Sequence, residues 1–418
     1  MTLPDSVPGT TSDERASRLR RAVAVHAAAM RAPAPPLVRD GLPPIEQILR
    51  GAWMETEEGA VFVKDAWLPL DHCHGALPLA QLVRTAPEAI APMLRGVPAA
   101  DPSRFAFFDI ETTGLSGGVG TYAFLLGLGT FEDDGDGGLA FRMRQYFLAG
   151  PEHERAMLAL FARDLDCRDA IVTYNGRAFD LPISRTRMTL ARLPGHALDL
   201  PHVDLLPVMR RLYRHRLPGC RLAEAERRLL GIERFDDIPG ALIPSLYFDY
   251  VRAGRASPLR AVFRHNAEDV LSLVGLVAAI AGLFATEDID AEDAAAVARW
   301  WELEREPGRA AALYRRALPW LEGGGDWDWA AARHALLCKR AGDRAEAVGL
   351  WERLWAQGDH HAGLELAKHR EHYARDLPAA EEITRALLLR CEGAGRIALE
   401  RRLARLRRKR RRSSSAGG

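Results

Sequence analysis

Two acidic residues stand at the end of one of the most apolar stretches of the chain. Residues 105–112 read FAFFDIET, in which Asp109 and Glu111 alternate with apolar side chains. This pattern predicts a buried β-strand with both acids on one side of it. Because burial removes water from a carboxylate, two acids at such a place are costly unless another group compensates their charge.

Two further acids occur at predicted element boundaries or on a packed helix. Asp180, in VTYNGRAFDLP, follows a predicted strand and an Asn-Gly turn and opens a helix. His265 and Asp269, in RHNAEDVLSL, are four residues apart and therefore share one helix face. Singly, each acid has an ordinary explanation: Asp180 as a helix N-cap, and Asp269 as a solvated helix residue.

Together these residues predict a metal site. Four carboxylates gathered at one sheet edge would repel one another unless cations neutralised them. Oxygen ligands suit Mg²⁺ or Mn²⁺, and two such ions about 3.5–4 Å apart can hold a phosphodiester for in-line attack. The predicted ligands are Asp109, Glu111, Asp180 and Asp269. His265 would take the proton from the attacking water or orient that water.

The region 104–287 must position these groups, and its pattern predicts an α/β fold. Three apolar runs separated by Gly- and Asp-rich turns predict strands: RFAFFDI, TYAFLLGLGTF and LAFRMRQYFLAG. Helices and short strands then alternate, up to a long apolar helix beginning near residue 259. We therefore expect a mixed sheet flanked by helices, followed by an all-α region.

The N-terminal part divides into two predicted segments. Residues 1–45 suggest a short helix and a Pro-rich linker with weak order. Residues 46–103 suggest a small element with a β-hairpin in AWMETEEGAVFVKDAWLPL. The DHCH stretch at 71–74 favours a loop over a metal site, because adjacent ligands rarely reach one ion together.

Strand signals are absent from the sequence beyond residue 290. In 290–400, Leu313, Leu350 and Ile383 recur with a period in the mid-thirties, the length of a two-helix repeat. The stretches resemble degenerate tetratricopeptide repeats, and a plain helical bundle is the alternative. Such repeats commonly bind a protein partner. The tryptophans of this region favour core packing over base stacking: Trp300, Trp301, Trp320, Trp327, Trp329, Trp351 and Trp355.

The basic tail, 401–418, has two interpretations. It could attract phosphates through salt-dependent contacts. A solubilising, disordered terminus is the competing interpretation and is favoured slightly.

Three motifs carry a family resemblance. DIETTGL, YNGRAFDLP and HNAEDV resemble, in order, the three exonuclease motifs of the DEDD superfamily, which has a ribonuclease H-like fold. The chain most resembles the bacterial YprB ribonuclease H-like domain family, over roughly 104 to 285. The resemblance implies a metal-dependent 3′–5′ exonuclease.

The resemblance also implies roles for individual residues. Asp109 would bridge both ions, Glu111 and Asp269 would hold the nucleophile-side ion, and Asp180 would hold the second, partly through water. Implied contacts to the substrate come from Thr112, Gly114, Leu115 and Asn175. In one respect the sequence departs from the family pattern: His265 precedes the last Asp by four positions, as in the tyrosine subclass, instead of five.

Two other sequence features could belong to the site. Asp204, in HVDLLP, could be a fifth acid or could make a structural hydrogen bond. The Gly-rich GLSGGVGTY (114–122) precedes a strand and lacks the lysine of a P-loop, so a turn near the substrate is favoured.

Composition limits the class of protein and its cellular location. The 418 residues have a net charge of +1, and the five scattered cysteines argue against a disulfide framework or a structural zinc site. We expect no apolar stretch long enough to span a bilayer, no signal peptide, and a cytoplasmic location.

Two functions follow from these patterns. The first is a two-metal exonuclease that hydrolyses DNA or RNA. The alternative is a catalytically inactive ribonuclease H-like protein that binds nucleic acid or acts as a scaffold through its helical repeats. The first is favoured because an inactive protein would not need all four acids.

Overall fold

The computed structural model describes residues 43–94, 101–114, 120–214, 216–217, 219–286 and 289–415. Its contacts divide the chain into two compact units, Met1–Ala285 and Thr286–Gly418. We call them the N-terminal unit and the helical unit. The predicted helix and linker of 1–45 lie almost entirely outside the described residues.

A seven-stranded mixed sheet forms the centre of the N-terminal unit, as predicted. Its spatial order is β1-β2-β7-β6-β5-β8-β9. Neighbours from β1 to β5 are antiparallel, whereas β8 and β9 run parallel to β5. These strands are β1 (Ala52–Thr56), β2 (Gly59–Leu68), β5 (Phe105–Thr112), β6 (Ala123–Asp133), β7 (Leu139–Phe147), β8 (Ala170–Thr173) and β9 (His202–Asp204). A separate pair comprises β3 (Cys73–His74) and β4 (Leu77–Pro78).

The predicted N-terminal hairpin exists, but it is part of the main sheet. Strand β1 pairs with β2, and β2 pairs in turn with β7, where Phe62 is opposite Phe147. The hairpin strands Ala52–Thr56 and Gly59–Leu68 are therefore continuous with the main sheet. A hairpin pattern fixes only the pairing of two adjacent strands, whereas the β2–β7 pairing joins residues far apart in the sequence.

Helices cover the sheet and enclose its core. Phe105, Phe107 and Phe108 of β5 are all buried, and because side chains alternate along a strand they contribute to both faces of the sheet. The helices are α1 (Ile45–Leu49), α2 (Ala80–Val83), α3 (Pro87–Ile90), α4 (Glu154–Leu165), α5 (Asp180–Leu190), α6 (Leu205–Tyr213), α7 (Leu222–Ala225), α8 (Ile243–Ala253) and α9 (Leu259–Ala285). A π-helical turn, Glu226–Leu230, follows α7.

Helix α9 lies directly against the central strands. It contacts β5 and β6, and Gly129 of β6 permits this approach. A Cβ at Gly129 would lie 2.7 Å from Val270 Cγ1 of α9 and 2.3 Å from Phe141 Cζ. Missing side-chain volume at Gly129 therefore lets α9 bring its polar residues close to β5.

The same helix satisfies the length and hydropathy criteria for a membrane span. Its most apolar 18-residue window has a mean hydropathy of 1.9, and 61% of that window is buried inside the protein. The expectation that no apolar stretch is long enough to span a bilayer is thus wrong by length and hydropathy alone. Core helices of soluble proteins can share this composition.

The helical unit contains only helices among its described residues. Each helix of this unit after the first packs against the one before it. Tyr314, Trp351 and Thr384, which share the predicted period, are buried on every second helix. This alternation agrees with a two-helix repeat. The helices are α10 (Ala291–Leu303), α11 (Pro307–Leu321), α12 (Gly325–Ala341), α13 (Arg344–Ala356), α14 (His360–His372), α15 (Leu377–Leu388) and α16 (Ala394–Ser415).

Two sequence expectations for this unit can be compared with the structure. Trp300, Trp327 and Trp351 are buried as expected for core residues, whereas Trp320 is 82% exposed. The basic tail is helical as far as Ser415, as part of α16. The favoured interpretation of a disordered terminus is therefore wrong for these residues.

Candidate active site

Strand β5 places Asp109 and Glu111 on the same face, next to α9. Both side chains are half-buried, and the pairing with β6 shifts after Glu111 through a bulge. Asn266 of α9 donates a hydrogen bond to Asp109 Oδ2 at 2.8 Å and a second to its backbone carbonyl at 3.2 Å. Asn266 thus fixes Asp109 relative to α9.

A glycine opposite Asp109 makes room for this contact. Gly127 of β6 pairs with Asp109 across the sheet. A Cβ at Gly127 would lie 2.3 Å from Asn266 Oδ1, a distance too short for any side chain to occupy. The bond between Asn266 and Asp109 therefore depends on glycine at 127.

Asp180 begins α5 and is bonded to the same strand. Its side chain is 4% exposed, and its Oδ1 accepts a hydrogen bond from the backbone N–H of Ile110 at 3.3 Å. Ile110 lies between the two acids of β5. The third carboxylate is thus brought next to the first two, and the N-cap explanation does not account for this contact.

Asp204 holds the loop that precedes Asp180. Its Oδ1 accepts from the backbone N–H of Asn175 at 2.7 Å, and its Oδ2 from that of Arg177 at 3.1 Å. It also caps α6 by accepting from Leu206 N–H. Asp204 therefore has a structural role, one of the two alternatives left open by the sequence.

His265 and Asp269 reach the site from α9. Nε2 of His265 lies 3.8 Å from Glu111 Oε1 and 3.8 Å from Asp269 Oδ2. Its other nitrogen, Nδ1, lies 2.8 Å from Asp237 Oδ1. An ionised carboxylate can only accept, so Nδ1 donates to Asp237, and a neutral imidazole would then present the lone pair of Nε2 to the acids. With four-residue spacing, the imidazole still reaches the acids.

A partly buried arginine, Arg234, connects several of these groups. It pairs with Asp269 at 2.5 Å between Nη2 and Oδ1, and with Asp237 at 3.3 Å. Its Nε donates to the buried Glu226 at 3.0 Å. Glu226 also accepts from the hydroxyl of Ser272.

Sequence reasoning assigned no role to Arg234, Asp237, Glu226 or Asn266. Asn266 lies inside the HNAEDV motif, and Arg234 and Asp237 lie in the stretch RFDDIPG at 234–240. Charged residues in a short loop ordinarily indicate solvent exposure, so composition alone did not distinguish them.

Electrostatics show that the acids share one environment. Burial raises the pKa of Asp109 well above its ordinary value, and the charges of the other three acids raise it further. Burial, Asp269 and Asp180 likewise raise the pKa of Glu111. The pKa of Asp180 rises to about 7, chiefly through burial. Burial also raises the pKa of Asp269, although Arg234 and His265 oppose this effect.

Asp237 behaves differently from these four acids. Burial alone would raise its pKa, but the hydrogen bond from His265 and the charge of Arg234 lower it. Asp237 is therefore ionised at neutral pH and can hold the imidazole.

The donor set suits hard divalent cations. Four carboxylates that raise one another's pKa are a high concentration of negative charge, and oxygen-only donors favour Mg²⁺ or Mn²⁺. Glu111 accepts no hydrogen bond from the described residues, so its oxygens are available to a cation. Arg234 supplies one positive charge, at Asp269. The acids therefore fit the predicted ions chemically.

A different group in the helical unit has the tightest spacing of metal-type ligands among the described residues. His334, Cys338 and Glu346 place their ligand atoms within 4.8 Å of one another. Arg315 already donates twice to Glu346, at 2.6 and 3.0 Å. This cation neutralises the carboxylate, so the group is explained by its own hydrogen bonds. The four acids of the candidate site are more widely spaced than this group.

The structure describes three of the four residues predicted to contact the substrate. Thr112 is buried and donates its hydroxyl to the Gly114 carbonyl at 2.9 Å, so it stabilises the turn after β5. Asn175 is exposed, with a left-handed backbone at φ 67°, and its N–H is used by Asp204. Leu115 lies outside the described residues. Contact with a nucleotide stays a prediction for all four positions.

Comparison with known proteins identifies the family. A family model described as the RNase_H superfamily matches residues 106–281. An uncharacterized protein from Bacillus subtilis (strain 168), YprB, is 32% identical over 339 residues, which cover 78% of this chain and 80% of the relative. The chain belongs to the YprB family of ribonuclease H-like proteins. The predicted recognition is confirmed.

Family membership covers the whole candidate site. The segment matched by the RNase_H superfamily model contains Asp109, Glu111, Asp180, His265 and Asp269. It also contains Glu226, Arg234 and Asp237, which the structure adds to the site. The alignment with YprB is longer than this segment and therefore extends beyond the ribonuclease H-like domain.

Proposed function

We propose that this protein is a metal-dependent 3′–5′ exonuclease that hydrolyses phosphodiester bonds of DNA or RNA. One observation carries the proposal: Asp109, Glu111, Asp180 and Asp269 lie close enough for their charges to interact, and Nε2 of His265 lies 3.8 Å from an oxygen of Glu111 and of Asp269. A purely structural role would leave the like charges of these acids uncompensated.

The acids divide the work of holding cations. Asp109 interacts with all three other acids, which suits a shared ligand. Glu111 and Asp269 each lie 3.8 Å from His265 Nε2 and would hold the nucleophile-side ion, whereas Asp180 would hold the other. When bound, the two ions would acidify the attacking water and neutralise the leaving oxygen.

His265 is placed to accept a proton. Its Nδ1 is committed to Asp237 at 2.8 Å, which fixes the ring and leaves the lone pair of Nε2 directed at the acids. A water between Glu111 and Asp269 would lie within reach of that nitrogen. The arrangement follows the logic of an oriented general base, with Asp237 as the orienting group.

The experiment is a substrate panel with end-labelled oligonucleotides. Single- and double-stranded DNA and RNA, each labelled at the 5′ end, are incubated with Mn²⁺ or Mg²⁺. A 3′–5′ exonuclease gives a ladder that shortens from the 3′ end and releases mononucleotides. The same substrates with a blocked 3′ end should resist, and a cut inside a blocked strand would contradict exonuclease action.

Matched variants separate this activity from contamination. Asp109→Ala and Asp269→Asn should reduce hydrolysis at least about 10³-fold, because each removes a cation ligand. Glu268→Gln, next to Asp269 on α9 but paired only loosely with Arg264 at 3.9 Å, should remain active. Equal hydrolysis by all variants would indicate a contaminant. Failure of every substrate would favour the inactive, scaffold alternative.

A cytoplasmic location and a protein partner are also part of the proposal. All five cysteines are free thiols in the structure, which supports a reducing cytoplasm. A protein partner bound by the helical unit is likewise proposed from its repeat-like packing. Reproducible capture of a partner by the full chain, lost when exposed residues of that unit are changed, would support it.

A further inference from the structure

The C-terminal helix α16 combines high positive charge with a defined docking face. Nine of the twelve residues 401–412 are Arg or Lys. Arg402 and Leu406 are buried against the helical unit. Because they are four residues apart, they define one face of the helix that packs inward.

Two buried glutamates anchor this inward face and its flanks. Glu371 of α14 is 4% exposed and pairs with Arg402, Arg405 and Lys409 at 2.7–3.0 Å. A buried carboxylate needs such partners, since burial removes its water. The three basic residues follow one side of α16 at spacings of three and four.

The second glutamate binds the other flank. Glu381 of α15 is 2% exposed and pairs with Arg407 at 3.2 Å and with Arg410 at 2.9 Å. Arg385 of its own helix is a third partner at 2.5 Å. Five basic side chains of α16 are thus used to dock the helix.

Three arginines of α16 have no such use. Arg401, Arg408 and Arg411 are exposed and form no ion pair among the described residues. At 100° per residue they fall within about 80° of one another, on the face opposite Leu406. The rise of about 1.5 Å per residue spreads them over about 15 Å. We call these three residues the arginine stripe.

We propose that the arginine stripe is a second nucleic-acid contact, which binds the phosphates of a polynucleotide without reading its sequence. The choice of partner rests on the proposed function of the N-terminal unit. Over about 15 Å a nucleic-acid strand presents several phosphates, so each guanidinium can meet one. Docking on Glu371 and Glu381 holds the stripe on a fixed helix face.

This contact predicts a specific salt dependence. Neutralising three phosphates releases about three condensed counterions, so the slope of log K against log salt changes by about 2 for a single strand. Loss of the stripe should therefore weaken binding mostly at low salt. An effect confined to sequence preference would not agree with contacts to phosphates.

The test measures binding by the full chain without hydrolysis. Fluorescently labelled 20-nucleotide single-stranded RNA, single-stranded DNA and duplex DNA are titrated in EDTA at several salt concentrations. The variant is R401E/R408E/R411E. Its matched control, R305E/R340E/R375E, changes the same charge at exposed arginines of the helical unit that form no ion pairs among the described residues. Thermal unfolding checks that both variants fold.

The expected result is a 10- to 100-fold weaker affinity for the stripe variant near 0.1 M salt, with a slope reduced by about 2. The control should lose much less. Equal losses in both variants would show a general charge effect and overturn the proposal. Tighter binding to vesicles of anionic phospholipid than to any polynucleotide at the same salt concentration would also overturn the proposal.

The outcome is separate from that of the proposed function. Stripe-dependent binding without hydrolysis of any substrate would leave this inference standing and remove the exonuclease proposal. Hydrolysis of a substrate, with binding that is equal for the stripe variant and the native protein, would leave the exonuclease proposal standing and remove this inference.

Discussion

The Nδ1 atom of His265 lies 2.8 Å from Oδ1 of Asp237. Asp237 precedes α9 by more than twenty residues and belongs to none of the three exonuclease motifs. It fixes the ring so that Nε2 faces Glu111 and Asp269. Asp237 is thus the orienting partner for the general base that we propose.

Asp237→Asn should therefore lower kcat about 10- to 100-fold with little change in KM, because orientation of the base is lost while substrate contacts remain. Steady-state hydrolysis of a labelled oligonucleotide measures this. In a His265→Ala background the same change should cost almost nothing, since the group it orients is gone. A full additional loss in that background would show that Asp237 acts elsewhere.

Stability of the metal-free protein should depend on pH through Asp180. Its pKa rises from 3.8 to about 7 in the folded protein. Between these values the folded state holds a proton that the unfolded state has released, so stability falls as pH rises. Asp180→Asn removes this penalty, by at most about 4 kcal/mol at about 1.4 kcal/mol per pKa unit.

Thermal unfolding in EDTA measures this effect. The variant should match the native protein below pH 4 and melt at a higher temperature above pH 7. Added Mn²⁺ should raise the Tm of the native protein more than that of the variant, and more at pH 8 than at pH 5, because protons compete with the cation. If the Tm of the variant exceeded that of the native protein by the same amount below pH 4 and above pH 7, the result would contradict the titration of Asp180.

Gly127→Ala should disturb the site from the opposite strand. The new Cβ would lie 2.3 Å from Asn266 Oδ1, so Asn266 must move away from Asp109. We expect a loss of about 1–3 kcal/mol in stability and a loss of hydrolysis larger than this loss explains. Denaturant unfolding and activity on the same preparation measure both.

The matched change is Gly282→Ala on α9, where a Cβ would meet nothing within 4 Å. It should retain activity and gain up to about 1 kcal/mol, since alanine favours a helix over glycine. Activity of Gly127→Ala equal to that of Gly282→Ala would mean that Asn266 does not position Asp109.

The ion pair of Arg234 with the buried Glu226 should be strongly coupled. Arg234→Gln leaves a buried carboxylate without its partner and should cost about 3–5 kcal/mol of stability. The double variant Glu226→Gln/Arg234→Gln removes both charges and should cost less than the single Arg234→Gln. Urea unfolding of the two single variants and the double variant decides this, and additive losses would exclude the coupling.

The mixed sheet and the four acids were accessible from sequence because their signals are local. The dense apolar run of FAFFDIET predicts β5, and the motif order predicts the ribonuclease H-like fold. Asp109, Glu111, Asp180 and Asp269 were named from residue type and spacing, and the structure places them together.

Other features required long-range contacts. The pairing of β2 with β7 joins the N-terminal hairpin to the main sheet, and a hairpin pattern says nothing about a third strand. Likewise, a run such as RRLARLRRKRRR suggests a solvated tail, whereas Glu371 and Glu381 provide buried partners that dock it as a helix.

By itself, the sequence determined which residues are available to bind cations, since carboxylates at strand and helix boundaries are encoded by residue type and period. Only the tertiary structure decided how these side chains are positioned. Asn266, Arg234 and Asp237 act through bonds to residues distant along the chain. The free energy of such contacts depends on distance and burial, which no local pattern specifies.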